Sequence, residues 1–161
     1  MLRGLLVDRG VAGAWQGQDI RAAVAEEVGI HLAVVDSARL RDGAARKDAI
    51  RQLGREAITM AQRYMDQLGG ELVPLLVGTS VTKSSAAGPI VGTPDCVAMH
   101  KDRRVLVELK TGQDPNPRMY SMTGQADFYA YILGDIEVVY YDLISPTSVM
   151  RYQRPPRLDR G

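Results

Sequence analysis

The sequence predicts an α/β protein in which helices flank a mixed β-sheet. Three observations carry this expectation. Residues 44–68 hold apolar side chains at helical spacing and stop at Gly69-Gly70. From Glu71 the pattern shortens to runs rich in Leu and Val. A second helical stretch, 121–133, then precedes a nearly continuous apolar segment at 136–144. Strands that alternate with helices pack as layers around a sheet.

Taken in order, residues 1–40 give the weakest pattern: 20–28 reads as a short helix and 31–35 as a short apolar segment. In 44–68, Ile50, Leu53, Ala57, Met60, Ala61, Tyr64 and Leu68 make one apolar face. The opposite face carries Arg46, Lys47, Arg51, Arg55 and Arg63, the pattern of a solvated surface with a phosphate-facing stripe as the rival reading. Residues 71–81 make a first strand and 84–88 a loop of small residues. A second strand is expected at 90–99, bulged or at an edge around Gly92-Thr93-Pro94 because Pro94 has no N–H to donate. After a polar turn at 100–103 comes a third strand, 105–111, and a loop with two prolines at 112–117. The helix at 121–133 is capped by Gly134. The run 136–144 has the composition of a strand buried on both faces, and 149–153 offers a last strand.

Composition narrows the function classes. At 161 residues, 45% hydrophobic and 24% charged, the chain suits one soluble domain that needs no covalent staple. Its single cysteine, Cys96, excludes an internal disulfide, and with only His31 and His100 a His/Cys zinc site is disfavoured. Cys96 reads as a small buried residue. No apolar run reaches the roughly 20 residues of a membrane span, and Met1 to Val7, followed by Asp8 and Arg9, does not resemble a signal peptide. A cytoplasmic protein is expected. The net charge of +1 says little, since a nucleic-acid site can be locally charged.

Chemistry concentrates on two strands. In the third, Leu106, Glu108 and Lys110 share a face; in the second, Asp95, Val97 and Met99 do. Glu-x-Lys alone is more often an exposed ion pair. A hairpin turning between Lys101 and Asp102, however, sets Asp95 directly opposite Glu108, with Cβ atoms about 4.5–5.5 Å apart. Two carboxylates that close repel, and a divalent cation such as Mg²⁺ or Mn²⁺ would offset the repulsion. A slip of one residue would abolish the pairing.

Gly92-Thr93-Pro94-Asp95, followed by Glu108-Leu109-Lys110, resembles the signature of the PD-(D/E)XK nuclease superfamily. Gln125 and Tyr129 add a Gln-x-x-x-Tyr motif on the next helix, similar to the RecB-type exonuclease branch. Spaced i,i+4, they project from one helix face, near Met122 and Ile132. Without the other motifs, Tyr129 would read as a core aromatic. The resemblance covers 45–153, leaving 1–44 as an N-terminal helical extension and 154–161 as a loose tail of a single domain. It implies a restriction-endonuclease-like core and a metal-dependent deoxyribonuclease. Asp95, Glu108 and the backbone carbonyl of Leu109 would ligate Mg²⁺ or Mn²⁺. Lys110 would hold the attacking water or meet charge growing on the phosphate, and Gln125 and Tyr129 would position water or DNA backbone. Relatives often place a further His or Glu on the helix before the first strand; Gly54 is present without a following His, which makes Glu56 the acidic candidate.

Lys83, Arg103, Arg104 and Arg55 are candidates for phosphate contacts with single- or double-stranded DNA. A helicase or recombination partner and a homo-oligomer are further expectations. Rival readings keep the same core as a structure-specific endonuclease or Holliday-junction resolvase, or as a catalytically inactive DNA-binding subunit.

Overall fold

A computed structural model describes residues 1–113 and 124–157. The chain is an α/β structure: of three helices, α1 (Leu2–Trp15), α2 (Ile20–Ala38) and α3 (Gly43–Gln67), α1 and α3 cover one face of a five-stranded mixed sheet and α2 packs on them. After a short 3₁₀ turn at Gly69–Glu71 come β1 (Val73–Val77), β2 (Val81–Ser85), β3 (Gly88–Gly92), β4 (Cys96–His100) and β5 (Arg103–Thr111). Helix α4 (Gln125–Leu133) then leads to β6 (Val138–Ile144) and β7 (Val149–Arg154).

Strand order in the main sheet is β1-β4-β5-β6-β7, while β2 and β3 form a separate two-stranded ribbon. Only β5 and β6 run parallel. Parallel neighbours need a crossover, and α4 lies within it. β6 is buried at all seven positions, as its unbroken apolar run predicts for a strand covered on both faces.

The sheet divides two cores. On one side Leu6, Val7 and Val11 of α1 and Ala57, Met60 and Tyr64 of α3 pack with Cys96, Ala98, Val105, Val107 and Tyr140. On the other, Ala126 and Ala130 of α4 pack with Val97, Leu106, Val139 and Tyr141. Cys96 is fully buried, and burial pushes its thiol up to about 12, the inert state expected of it. Tyr64 donates to Asp142 at 2.7 Å, and Arg151 grips the same carboxylate through two 2.6 Å bonds. That network ties α3 to β6 and β7 with every charge paired.

Several elements differ from the sequence reading. The segment 31–35, expected as a separate apolar piece, lies inside α2, which is a 19-residue helix begun by Asp19 accepting from Ala22 N–H at 3.0 Å. α1 is part of the main core, with Leu6, Val7 and Val11 wholly inaccessible. The expected strand 90–99 is two strands in two sheets, broken at Thr93-Pro94-Asp95, because Pro94 and the close packing of Gly92 end the ribbon there. Arg154, placed in the loose tail, closes β7; it is buried and bonded twice to Asp127, at 2.7 and 2.9 Å. Helix α4 is seen from Gln125; Met122 and the start expected at 121 lie outside the described residues. Among the described residues no helix is long and apolar enough to cross a membrane.

Candidate active site

The β4–β5 hairpin sets the geometry. His100 pairs with Arg103 across a two-residue turn, in which Lys101 and Asp102 have φ of 50° and 60°. Positive φ at both central positions matches the right-handed twist of the flanking strands. The ladder runs Cys96↔Val107, Val97↔Leu106, Ala98↔Val105. Carried one residue further, that register sets Asp95 opposite Glu108, as the sequence predicts. Just before β4, Asp95 is held on both sides: its carboxylate accepts from Leu109 N–H at 2.8 Å, and its carbonyl from Gly78 N–H at 3.0 Å.

Glu108 is 2% exposed, and its Oε1 is buried without a hydrogen-bond partner. Lys110 approaches the other oxygen, Oε2, at 3.7 Å. Burial first, then the charge of Asp95, pushes the Glu108 carboxyl up to about 8, against the opposing pull of Lys110. Burial likewise raises Asp95, partly countered by the Leu109 N–H.

A third carboxylate joins from α1. Asp8 is raised to about 7, by burial and then by Asp95, with Lys110 opposing; Glu108 in turn feels Asp8. Its Oδ1 is buried and has no hydrogen-bond partner. Gly4, one turn earlier, explains the approach: a Cβ there would lie 2.5 Å from Thr111 Oγ1, so only glycine lets α1 come this close to the end of β5. Residues i and i+4 share a helix face, so Asp8 follows Gly4 toward the site. In the sequence Asp8 served only as a charge arguing against a signal peptide. Its position on the stripe Gly4, Val7, Asp8, Val11, Trp15, otherwise apolar or glycine, was the available signal.

Glu56, the acidic candidate on α3, stands elsewhere. Its half-exposed side chain pairs with Arg3 at 3.5 Å and accepts from Gln52 at 3.2 Å. Among the described residues no three His, Cys, Asp or Glu side chains converge tightly enough to coordinate one ion as they stand. Asp8, Asp95 and Glu108 are coupled through charge.

Helix α4 brings the third sequence motif alongside. Gln125 accepts from Lys110 Nζ at 3.4 Å and donates to Tyr129 Oη at 3.1 Å. A polar chain thus runs Glu108–Lys110–Gln125–Tyr129 along one edge of the site. The Tyr129 ring lies over Gly92, where a Cβ would come within 2.7 Å of it. Gly92 of the Gly-Thr-Pro-Asp run therefore seats the tyrosine, while Asp95 faces the carboxylates.

The candidate phosphate contacts scatter. Arg103 and Arg104 sit at the turn end of β5, four to five residues from Glu108, and Arg104 pairs with Asp135 at 2.8 Å. Arg55 bonds Gln52 on the outer side of α3. Arg46, Lys47 and Arg51 pair with Asp42, Asp36 and Asp48, and Arg63 donates to the Pro146 carbonyl at 2.6 Å. That face of α3 is largely a solvated, self-paired surface. Of these candidate phosphate contacts Lys83 bonds to α4, donating to the Tyr131 carbonyl at 2.9 Å.

No family's sequence profile matches the chain, and no curated protein matches it. Among solved structures, the crystal structure of SSO0001 superposes with a TM-score of 0.44 at 17% identity, over 73% of this chain. The alignment spans about three fifths (61%) of that protein's length.

Proposed function

We propose that this chain is a metal-dependent nuclease that hydrolyses DNA phosphodiester bonds, with a restriction-endonuclease-like core of the RecB type. The observation that carries the reading is the burial of Glu108 beside Asp95, Asp8 and Lys110. A buried carboxylate oxygen without a partner is costly, and a structure that sets Glu108 beside two further carboxylates and one lysine calls for a countercharge. The donor chemistry, though not the spacing as it stands, suits a hard divalent cation: Glu108 Oε1 and Asp8 Oδ1 are buried oxygens with no hydrogen-bond partner. Asp95, Glu108 and Asp8 would hold Mg²⁺ or Mn²⁺, with the Leu109 carbonyl as a further oxygen. When bound, the ion supplies charge neutralisation at the phosphate and a more acidic water.

The chain's own groups do the rest. Lys110, steered by Glu108 and Gln125, presents an ammonium to a phosphoryl oxygen as negative charge grows there, or holds the attacking water. Gln125 and Tyr129 orient that water or the DNA backbone through the amide and phenol they already share. Glu108 is buried while Lys110 and Gln125 stay accessible, so the carboxylate is held in place and its neighbours remain open to a substrate. Nothing in this set reads a base, so the site suits sequence-independent cutting.

The test is cleavage of end-labelled single- and double-stranded DNA in Mg²⁺ or Mn²⁺, run beside Lys110→Ala and Glu108→Ala. Cleavage by the parent alone, stopped by EDTA, is the expected result. Full activity in EDTA, or in either variant, would overturn the reading.

A further inference from the structure

We propose that Phe128 and Tyr131, with Lys83, form a platform on which unpaired DNA bases stack beside the reacting phosphate. This deepens the nuclease reading and rests on it. Among the described residues these are the exposed aromatic rings, Phe128 at 41% and Tyr131 at 48%. Of the other described aromatics, Trp15, Tyr64, Tyr140 and Tyr141 are buried, and Tyr129 and Tyr152 are partly buried against the core. α4 has no need of exposed rings for packing, because Ala126 and Ala130 already make its core contacts.

Placement connects the rings to the site. Gln125, Phe128 and Tyr131 are spaced i, i+3, i+6 and form an oblique ridge on α4, each step advancing about 4.5 Å along the axis and turning about 60° around it. The ridge begins at the amide that touches Lys110 and ends at a second lysine. Phe128 also leans on Tyr129, ring centroids 5.9 Å apart. Bases seated on Phe128 and Tyr131 would thus belong to nucleotides adjoining the phosphate under attack.

Charge on the platform favours nucleic acid over an apolar partner. Lys83 Nζ stands 3.8 Å from the centroid of Tyr131 and is anchored by that residue's carbonyl. A cation resting on one face of Tyr131 offers the backbone phosphate a partner, and the neighbouring exposed Phe128 ring offers a base a π-face, the combination used by single-strand binders. Around it the β2–β3 ribbon exposes Thr82, Ser84 and Ser85, polar groups suited to a sugar–phosphate backbone. A base inside a duplex is already stacked and cannot reach such rings, so the platform selects a single-stranded end or flap.

The experiment is fluorescence anisotropy with a labelled oligothymidylate and with a blunt duplex, in Ca²⁺ without Mg²⁺ or Mn²⁺. Phe128→Ala and Tyr131→Ala are each expected to weaken oligothymidylate binding about tenfold and duplex binding by less than about twofold. Phe128→Trp and Tyr131→Phe should bind like the parent, since a flat ring remains. Alanine variants that bind oligothymidylate unchanged, while the parent cleaves DNA in Mg²⁺, overturn the platform and leave the nuclease reading standing. An equal loss on both substrates also overturns it, because stacking cannot act on paired bases. A parent protein that neither binds nor cleaves DNA overturns both.

Discussion

Replacing Glu108 with glutamine is expected to stabilise the metal-free protein in base and to leave it nearly unchanged in acid. Glu108 is 2% exposed, and its carboxyl is raised from 4.5 to about 8. A group whose folded pKa exceeds its unfolded one adds stability below the unfolded value and loses that contribution as pH rises through the folded value. The penalty therefore develops between about pH 4.5 and 8. At about 1.4 kcal/mol per unit, forced ionisation at pH 8.5 has an upper bound of about 4–5 kcal/mol. Proton sharing with Asp95 and Asp8 brings the expected gain for Glu108→Gln to about 2 kcal/mol. For a chain of this size that is about 4–8 °C in Tm. At about pH 5 the native carboxyl is already protonated and nearly isosteric with the amide, so the packing difference cancels in the comparison. The assay is urea or thermal denaturation in EDTA at the two pH values. Equal changes at both, or a larger loss in base, would refute the idea that a buried, uncompensated carboxylate occupies the centre of the site.

Three further outcomes follow from the same geometry. Asp8→Asn should lower cleavage about 100-fold, the scale of losing a group that positions a metal, while Glu56→Gln stays within about threefold; similar effects from both would remove Asp8 from the site. Mg²⁺ or Mn²⁺ affinity should rise from about pH 6 to 9 with release of protons, because Asp8 and Glu108, raised to about 7 and 8, must ionise to bind. Calorimetry in buffers of different ionisation enthalpy reads the proton count, and no release would contradict the assigned ligands. Gly92→Ala should cost about 1–3 kcal/mol, because its Cβ would come within 2.7 Å of the Tyr129 ring, and should also reduce cleavage. A variant as stable and active as the parent would show that the ring can move away freely.

The site was legible in sequence where it depends on local chain geometry. Glu108 and Lys110 share a strand face by alternation, and Gln125 and Tyr129 share a helix face by i,i+4 spacing; both relations appear in the structure. The contact of Lys110 with Gln125 needed the motifs to be read together, since fifteen residues separate them. Phosphate-contact candidates were poorly legible. Arg103, Arg104 and Arg55 are ordinary charges by composition, and their positions depend on where β5 starts and which way α3 turns its polar face.

By itself, the sequence determined the layered α/β class, the doubly covered β6 and the opposition of Asp95 to Glu108, because each follows from short-range periodicity or a two-residue turn. The tertiary structure decided which distant groups join them. Asp8 enters the cluster, and Glu56 does not, because α1 packs against the end of β5 through Gly4 and Thr111, about a hundred residues apart in sequence. The α1 stripe marks Asp8 as inward-facing, but which strand end it meets depends on how two surfaces distant in sequence fit together.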